Sequence, residues 1–217
     1  MLFRSAEIAI ACASHCAEPD QLAAVRALLA RAGATEDDLE CGAEGAAGRI
    51  AHNCSGKHAG MLAACRANGW EFAGYSHAEH PLQRRISEVV GRPPAAIDGC
   101  GVPTFETTVR SAAELFARIP ERARDAMAER PELVGGTDVD DTVLMQLRPG
   151  FVAKRGAEAL FCVLTPDGRA LAVKVDDGAM RAVRPALGAI LAIDAWRNVP
   201  LRSSLGDEVG VLRAVTR

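Results

Sequence analysis

Two short segments of the chain place thiols beside charged and hydroxyl groups. Residues 53–60 read N-C-S-G-K-H-A-G, and residues 98–103 read D-G-C-G-V-P. Small residues flank both thiols, so the backbone can come close to a neighbouring segment or a ligand. Two such elements in one chain predict a single polar site, and hydrolysis is the chemistry that we expect there.

The first segment pairs a thiol with an amine. Cys54 and Lys57 are three residues apart, so one helical turn would bring both side chains to the same side. Together with Cys100 they supply two thiolates and an amine, a donor set that could hold zinc. Because the chain has no C-x-x-C pair, the alternative is two buried thiols beside a lysine at a helix start. Asp98 could orient a substrate amine or a metal-bound water, or it could cap its own turn.

A hydroxyl assisted by a lysine is the second chemical hypothesis. Ser14 and His15 are adjacent, and neighbours on an extended segment point to opposite faces, which argues against a direct pair. A hydroxyl activated by a distant lysine is the better account. Lys174 is the only charged residue in the apolar segment 171–175 and is the proposed partner. The alternative places this lysine on the solvent face of an edge strand.

Hydrophobic period, capping residues and turn residues predict the elements that position these groups. Helices outnumber the short strands, which is typical of an α+β fold with a small antiparallel sheet. Residues 8–12 read I-A-I-A-C, an alternation that stops at polar side chains and predicts a short buried strand ahead of Ser14. Residues 41–48 predict a loop. The predicted helices span 19–32, 35–38, 55–68, 81–90, 107–119, 121–130 and 180–196, and the other strands span 151–154, 157–165 and 169–175.

The last two predicted strands form a hairpin. Residues 165–168 read T-P-D-G, and each of these residues favours a tight turn. With a type I turn and a glycine bulge, Thr165 would face Arg169. Cys162 and Lys174 would then be diagonal neighbours on one face of the sheet, roughly 7 Å apart.

Composition limits the remaining classes of function. The chain has 217 residues, 49% of them hydrophobic, and a net charge of −3, so we expect one domain over 1–217 and no nucleic-acid partner. No apolar segment is long enough for a membrane span. Seven scattered cysteines do not suggest a disulfide framework, and no secretion signal is evident, so we expect a cytoplasmic protein.

Taken together and in order, the motifs resemble the L-asparaginase II family, the Rhizobium-type asparaginases. The resemblance extends from residue 7 to about residue 193. Several motifs in register are far more specific than any one alone. The matching motifs are A-C-A-S-H at 11–15, E-C-G at 40–42, the segment 53–60, D-G-C-G-V-P-T at 98–104, V-G-G-T at 134–137, K-x-G-A-E at 154–158 and A-V-K-V-D-D-G at 172–178.

The resemblance implies a fold similar to serine β-lactamases and penicillin-binding proteins, a homodimer, and hydrolysis of L-asparagine to L-aspartate and ammonia. It implies zinc held by Cys54, Lys57 and Cys100, with a water completing the shell. Ser14 and Lys174 would form the hydroxyl–lysine pair. The other residues implied at the site are Asp98 as a catalytic group and His15, Asn53, Gly99 and Cys162 as substrate-binding groups.

The beginning of the chain departs from the family pattern. Members carry an R-S-x-x-K-P element that supplies a second serine–lysine pair, whereas Ile8 stands here in place of that lysine. An isoleucine cannot accept a proton, so we expect an N-terminally shortened member with weak or no activity and an open sheet edge. A non-catalytic zinc-binding or amino-acid-binding remnant is the alternative. A β-lactam-reactive relative ranks lower, because no S-x-x-K, S-D-N and K-T-G set is present.

Overall fold

The computed structural model describes residues 3–215, within which helices and three small antiparallel sheets alternate. Across that range every helix is too short or too polar to span a bilayer. The helices are α1 (Ser5–Ala11), α2 (Pro19–Ala32), α3 (Ser55–Asn68), α4 (Pro81–Val90), α5 (Val109–Ala117), α6 (Glu121–Glu129), α7 (Pro131–Val134), α8 (Asp140–Leu147), α9 (Val183–Ile190) and α10 (Asp194–Arg197). The strands are β1 (Ala96–Ile97), β2 (Pro103–Thr104), β3 (Val152–Arg155), β4 (Leu160–Leu164), β5 (Ala170–Lys174), β6 (Asn198–Arg202) and β7 (Glu208–Arg213).

The three-stranded sheet has the order β3-β4-β5. The Thr165 amide donates to the Arg169 carbonyl at 2.9 Å, as the predicted turn requires. In the register of the sheet Cys162 lies opposite both Lys154 on β3 and Ala172 on β5. Cys162 and Lys174 are therefore diagonal neighbours on one face, which confirms the predicted hairpin geometry.

Three helices begin and end where the sequence predicts. α2, α3 and α4 each stop at a glycine in the left-handed conformation, and α2 and α4 each start at a proline. A glycine accepts that conformation without a Cβ clash, so it ends a helix cleanly. A brief 3₁₀ turn at Glu36–Asp38, capped by Thr35, replaces the predicted helix 35–38.

The predicted strand at 8–12 is wrong, because these residues belong to α1. The Arg4 amide donates to the Glu7 carboxylate at 2.8 Å, and Arg31 donates to the same carboxylate, so the start of the helix is fixed. Ala9 and Ile10 are both completely buried, on neighbouring sides of α1. A helix that is apolar on most sides lacks the 3.6-residue period, and its short Ala-Ile alternation imitates a strand.

The predicted helix at 180–196 is also wrong as one element. It divides into a 3₁₀ turn, α9 and α10, with Ala192 in the left-handed conformation between the two α-helices. The chain folds back on Gly188, where a Cβ would lie 2.5 Å from the Trp196 backbone. This reversal buries Trp196. The hairpin of β6 and β7 that follows was not predicted.

The buried side chains of the described residues form two hydrophobic clusters, and α1 belongs to both. The first, which we call the sheet core, contains Phe161 and Val163 of the sheet together with Ala9. The second, the helical core, contains residues of α2 and α3 together with Ile10. α1 thus joins the two cores, and the chain that follows it runs along their boundary.

Close packing of α3 on α1 depends on two glycines. A Cβ at Gly60 would lie 2.8 Å from the Cβ of Ala11, and one at Gly56 would overlap the Ile10 carbonyl oxygen. Only glycine permits this approach. The start of α3 is therefore held beside the end of α1, which brings Cys54 and Ser14 into the same region.

Candidate active site

A polar cavity of about 610 Å³ opens at the boundary of the two cores. Four parts of the chain contribute to its walls: the end of α1, the start of α3, the turn between β1 and β2, and the end of β3. The lining residues are 11–14, 52–54, Lys57, 98–100 and 154–157.

Ser14 is paired with Lys154 in this cavity. The Lys154 Nζ donates to the Ser14 Oγ at 2.5 Å and to the Arg155 carbonyl at 2.6 Å. Lys154 keeps some exposure to the cavity, but protein surrounds its amine on most sides. This desolvation lowers the pKa of Lys154 to about 8, against the opposing influence of Asp141. At pH 7 about one amine in ten is then neutral and able to accept a proton.

The backbone of Ser14 is fixed on both sides. Its amide donates to the Val134 carbonyl at 3.0 Å, and the Arg155 guanidinium donates to its carbonyl at 2.8 Å. Arg155 also reaches the Gly135 carbonyl. Because strand β3 carries both Lys154 and Arg155, one element sets the position of the hydroxyl and of the amine that faces it.

The predicted pairing of Ser14 with Lys174 does not occur in the structure. Lys174 is exposed, and its amine donates to the Val175 carbonyl at 2.6 Å. It lies at the outer strand of the sheet, opposite Leu160, so the alternative of a lysine on an edge strand is correct. Lys154 faces the cavity because β3 runs next to the segment after α1. The K-x-G-A-E motif contains Lys154, but a choice between the two lysines requires the register of β3, which local residue patterns do not set.

The residues predicted as zinc ligands do meet. The Lys57 Nζ donates to the Cys100 Sγ at 3.0 Å and lies 3.5 Å from the Asp98 carboxylate. A hydrogen bond from Cys54 lowers the pKa of Cys100, and the same bond, followed by burial, raises the pKa of Cys54. The two thiols therefore share one proton, with the thiolate on Cys100.

Lys57 does not lose its proton in this setting. Burial alone would lower the pKa of Lys57, but the nearby Cys54 sulfur, the hydrogen bond to Cys100 and the charges of Cys100 and Asp98 together outweigh burial and raise it. Lys57 is therefore an ammonium ion at neutral pH, contrary to the expectation from desolvation alone.

The donor types fit zinc, because two sulfurs and one nitrogen meet at one place. Within residues 3–215 no group of three or more His, Cys, Asp or Glu side chains is arranged to hold a metal. Any metal at this place would therefore need the Lys57 amine as a ligand beside Cys54 and Cys100, and its binding would have to release the proton that Lys57 carries in the metal's absence.

Asp98 caps its own turn, and its predicted role toward a substrate amine or a metal-bound water stays a prediction. One carboxylate oxygen accepts from the Gly99 amide at 2.7 Å, which caps the turn. The other lies 3.5 Å from both Lys57 and Cys100. Gly99 and Asn53 are exposed along the cavity wall, where both can contact a small molecule.

His15 is buried and does not line the cavity, and its predicted substrate-binding role stays a prediction. Its Nε2 donates to the Ser55 hydroxyl at 2.8 Å, and its Nδ1 accepts from the Ala17 amide at 3.0 Å. Burial, with a smaller effect of His52, lowers the pKa of His15 to about 4, so the ring is neutral. The side chain points away from the cavity because Ser14 and His15 face opposite sides.

Cys162 lies behind the cavity wall. It is buried on β4 opposite Lys154, and it is not among the residues that line the cavity. Burial raises the pKa of Cys162 to about 11, so the thiol is neutral. It packs beside Lys154 and does not touch the cavity space, which differs from its predicted substrate contact.

A hydroxyl paired with a desolvated lysine amine in a polar cavity is typical of hydrolases with a nucleophilic serine. The sequence model described as L-asparaginase II matches residues 1–207. The chain therefore belongs to the L-asparaginase II family, as its motifs predicted, and membership implies amide hydrolysis of a small molecule. No curated protein sequence matches the chain.

Proposed function

We propose that the protein hydrolyses L-asparagine to L-aspartate and ammonia, with Ser14 as nucleophile and Lys154 as general base. The single observation that carries this proposal is the 2.5 Å contact between the Ser14 Oγ and the Lys154 Nζ, inside a cavity large enough for an amino acid. Family membership supports the reaction class.

The steps follow from this pair. Neutral Lys154 takes the proton of Ser14 as the Oγ attacks the side-chain carboxamide carbon. Lys154 then gives that proton to the departing nitrogen, the C–N bond breaks, and ammonia leaves an ester on Ser14. Lys154 next takes a proton from a water that attacks the ester carbon. Returning the proton to the Oγ releases L-aspartate and restores the free serine.

The thiol–amine cluster faces the same cavity. We propose that Cys54, Lys57 and Cys100 bind zinc, which when bound supplies a Lewis acid that polarises a carbonyl oxygen. Asp98 has one carboxylate oxygen on the cavity side of its turn, and we propose that it attracts the α-ammonium group of the substrate. Gly99 and Asn53 would complete that wall.

Turnover is expected to be slow. Ile8, at the place of the family's lysine, packs against the sheet core and adds no second proton acceptor. The Ser14–Lys154 pair therefore carries every proton transfer in this proposal.

Ammonia release from L-asparagine tests the proposal. Purified protein is compared with Ser14→Ala, Lys154→Met and the matched control Lys174→Met. The proposal requires release by the parent and by Lys174→Met, and loss in the other two variants. Equal release by the parent and Ser14→Ala would refute it.

A non-catalytic zinc-binding protein is the second candidate, because the thiol–amine cluster forms through contacts separate from those of Ser14. Stoichiometric zinc that is lost in Cys54→Ala, without ammonia release by the parent, would favour it. A homodimer and a β-lactamase-like fold stay predictions from the family resemblance, and a cytoplasmic location stays a prediction from the cysteine pattern. Sedimentation velocity would test the first of these.

A further inference from the structure

One histidine of the cavity wall is not used by the proposed reaction. His52 borders the cavity and is half-buried. Its backbone is fixed on both sides, because its amide donates to the Arg49 carbonyl at 3.2 Å and its carbonyl accepts from the Ser55 amide at 2.8 Å. The imidazole ring is therefore attached to a well-defined part of the wall.

A backbone hydrogen bond fixes the tautomer of this ring. The Cys54 amide donates to the His52 Nδ1 at 3.1 Å. A ring nitrogen that accepts from an amide carries no proton, so the ring is neutral and its proton lies on Nε2. His52 is thus an N–H donor without a positive charge.

This donor is free in the described part of the chain. Across residues 3–215 the His52 Nε2 makes no hydrogen bond, and it is not one of the unpartnered polar atoms that protein encloses. Gly42 leaves room beside it, since a Cβ at that glycine would lie 3.6 Å from the Cδ2 and 4.0 Å from the Nε2 of the ring. The donor is therefore open to the space that His52 borders, which is the cavity.

Three cationic side chains border the cavity within residues 3–215, and each already has a protein acceptor. Lys57 donates to the Cys100 sulfur at 3.0 Å. Lys154 and Arg155 donate to the hydroxyl and to the carbonyl of Ser14. An anionic group of a ligand would have to compete for these cations, whereas the Nε2–H of the histidine is unoccupied.

The place of His52 in the wall suits the α-carboxylate of an amino acid. His52 lies just before α3, whose first turn contacts Asp98, the residue proposed to attract the α-ammonium group. The next residue along the chain, Asn53, accepts with its carbonyl from the His15 amide at 3.0 Å, so this segment also runs beside the residue that follows Ser14. An amino acid carries its ammonium and carboxylate groups on one carbon, so both must be bound close together.

We infer that His52 is a substrate-binding residue whose Nε2–H donates to the α-carboxylate of the amino acid in the cavity. The site then selects free α-amino acids over asparagine within a peptide, where an amide replaces that carboxylate. A hydrogen bond to a charged group is typically worth about 10- to 100-fold in affinity. This inference rests on the proposed function in taking an amino acid as substrate, with Asp98 as the partner of its ammonium group.

Two substitutions separate a substrate contact from mere support of the Cys54 amide. His52→Asn places an oxygen near the Nδ1 position, where it can accept from that amide, but it has no donor at the Nε2 position. His52→Gln places an N–H near the Nε2 position but lacks the acceptor. A residue that only supports the amide tolerates asparagine better than glutamine, whereas a carboxylate donor tolerates glutamine better.

Calorimetric titration measures binding without turnover when both substitutions are made in Ser14→Ala. We expect His52→Asn to weaken L-asparagine binding about 10- to 100-fold and His52→Gln to retain most of it. The preference for L-asparagine over L-asparaginamide, which has an amide in place of the α-carboxylate, should fall in His52→Asn by the same factor. Full affinity in His52→Asn, a greater loss in His52→Gln, or no binding of L-asparagine by Ser14→Ala would overturn the inference. The expected binding pattern without ammonia release by the parent would refute the proposed hydrolysis and leave the assignment of His52 in place.

Discussion

The two lysines that face the cavity are opposites in their electrostatics. Both amines are partly desolvated, yet the pKa of Lys154 is lowered to about 8, whereas the pKa of Lys57 is raised. Lys154 meets a neutral hydroxyl and a carbonyl. Lys57 meets a thiolate and a carboxylate. Burial therefore yields a base on the side of the sheet core, where the amine contacts neutral groups, whereas anionic neighbours outweigh burial and keep a cation on the side of the helical core.

Exchanging either lysine for methionine should separate the two roles, and this is the largest effect that we expect. Lys154→Met should lower kcat/KM by about 10³-fold or more, because nucleophile and base act as a unit. Lys57→Met should abolish zinc binding but leave the pH dependence that Lys154 imposes on any residual activity. Steady-state kinetics of ammonia release and a zinc assay check both. A Lys57→Met variant without the Lys154 pH dependence would contradict this division.

Replacing Arg155 tests whether the two sides of the cavity are independent, because Arg155 positions Ser14 and not the proposed zinc ligands. Arg155→Leu removes the donor to the Ser14 carbonyl, and misplacing a reacting atom by about 1 Å can cost on the order of 10²-fold. We expect that loss in kcat with a smaller change in KM, and unchanged zinc affinity. Arg169→Leu, an exposed arginine of the hairpin turn, is the matched control. A fall in zinc affinity in Arg155→Leu would mean that the two sides are not independent.

The contact between α1 and α3 connects the two sides. Gly56→Ala would place a methyl group on the Ile10 carbonyl, and overpacking of this kind typically costs about 1–3 kcal/mol. Urea unfolding should show the loss. The control is Gly99→Ala, because no atom lies near the added Cβ. Gly69→Ala is less suitable, because Gly69 has a left-handed φ that alanine adopts only with strain. Similar unfolding free energies for Gly56→Ala and the parent would rule out the tight contact.

The pH dependence of the reaction gives the smallest effect. Because the pKa of Lys154 is lowered to about 8, the base form increases as pH rises, and kcat/KM should grow about tenfold from pH 7 to a plateau above pH 8. Asp141 opposes the lowering. Asp141→Asn should therefore move the rising limb to lower pH. If the rising part of the pH profile stayed in place or moved to higher pH in Asp141→Asn, its assignment to Lys154 would be contradicted.

Local signals made much of the fold predictable. Pro, Gly and capping residues mark α2, α3, α4 and the hairpin turn, and these elements occur as predicted. The failures have physical reasons. α1 contacts two cores and so lacks a one-sided period, while the break between α9 and α10 depends on a distant contact between Gly188 and Trp196.

The same distinction between local signals and distant contacts applies to the candidate site. The proposed zinc ligands were predictable from the sequence. The side chains of Cys54, Lys57 and Cys100 are of types that suit one metal ion, and the first two are spaced by one helical turn. Choosing Lys154 over Lys174 requires the register of β3 against the end of α1, which is a tertiary property.

α1 inserts Ala9 into one core and Ile10 into the other, and Ser14 follows directly after its end. The proposed nucleophile therefore has no correct position unless both halves of the molecule are assembled at once. A partly melted or proteolytically nicked chain would keep native-like patches yet be fully inert. Heat inactivation should consequently coincide with the first loss of packing in either half, which makes turnover a sensitive reporter of the integrity of the entire molecule.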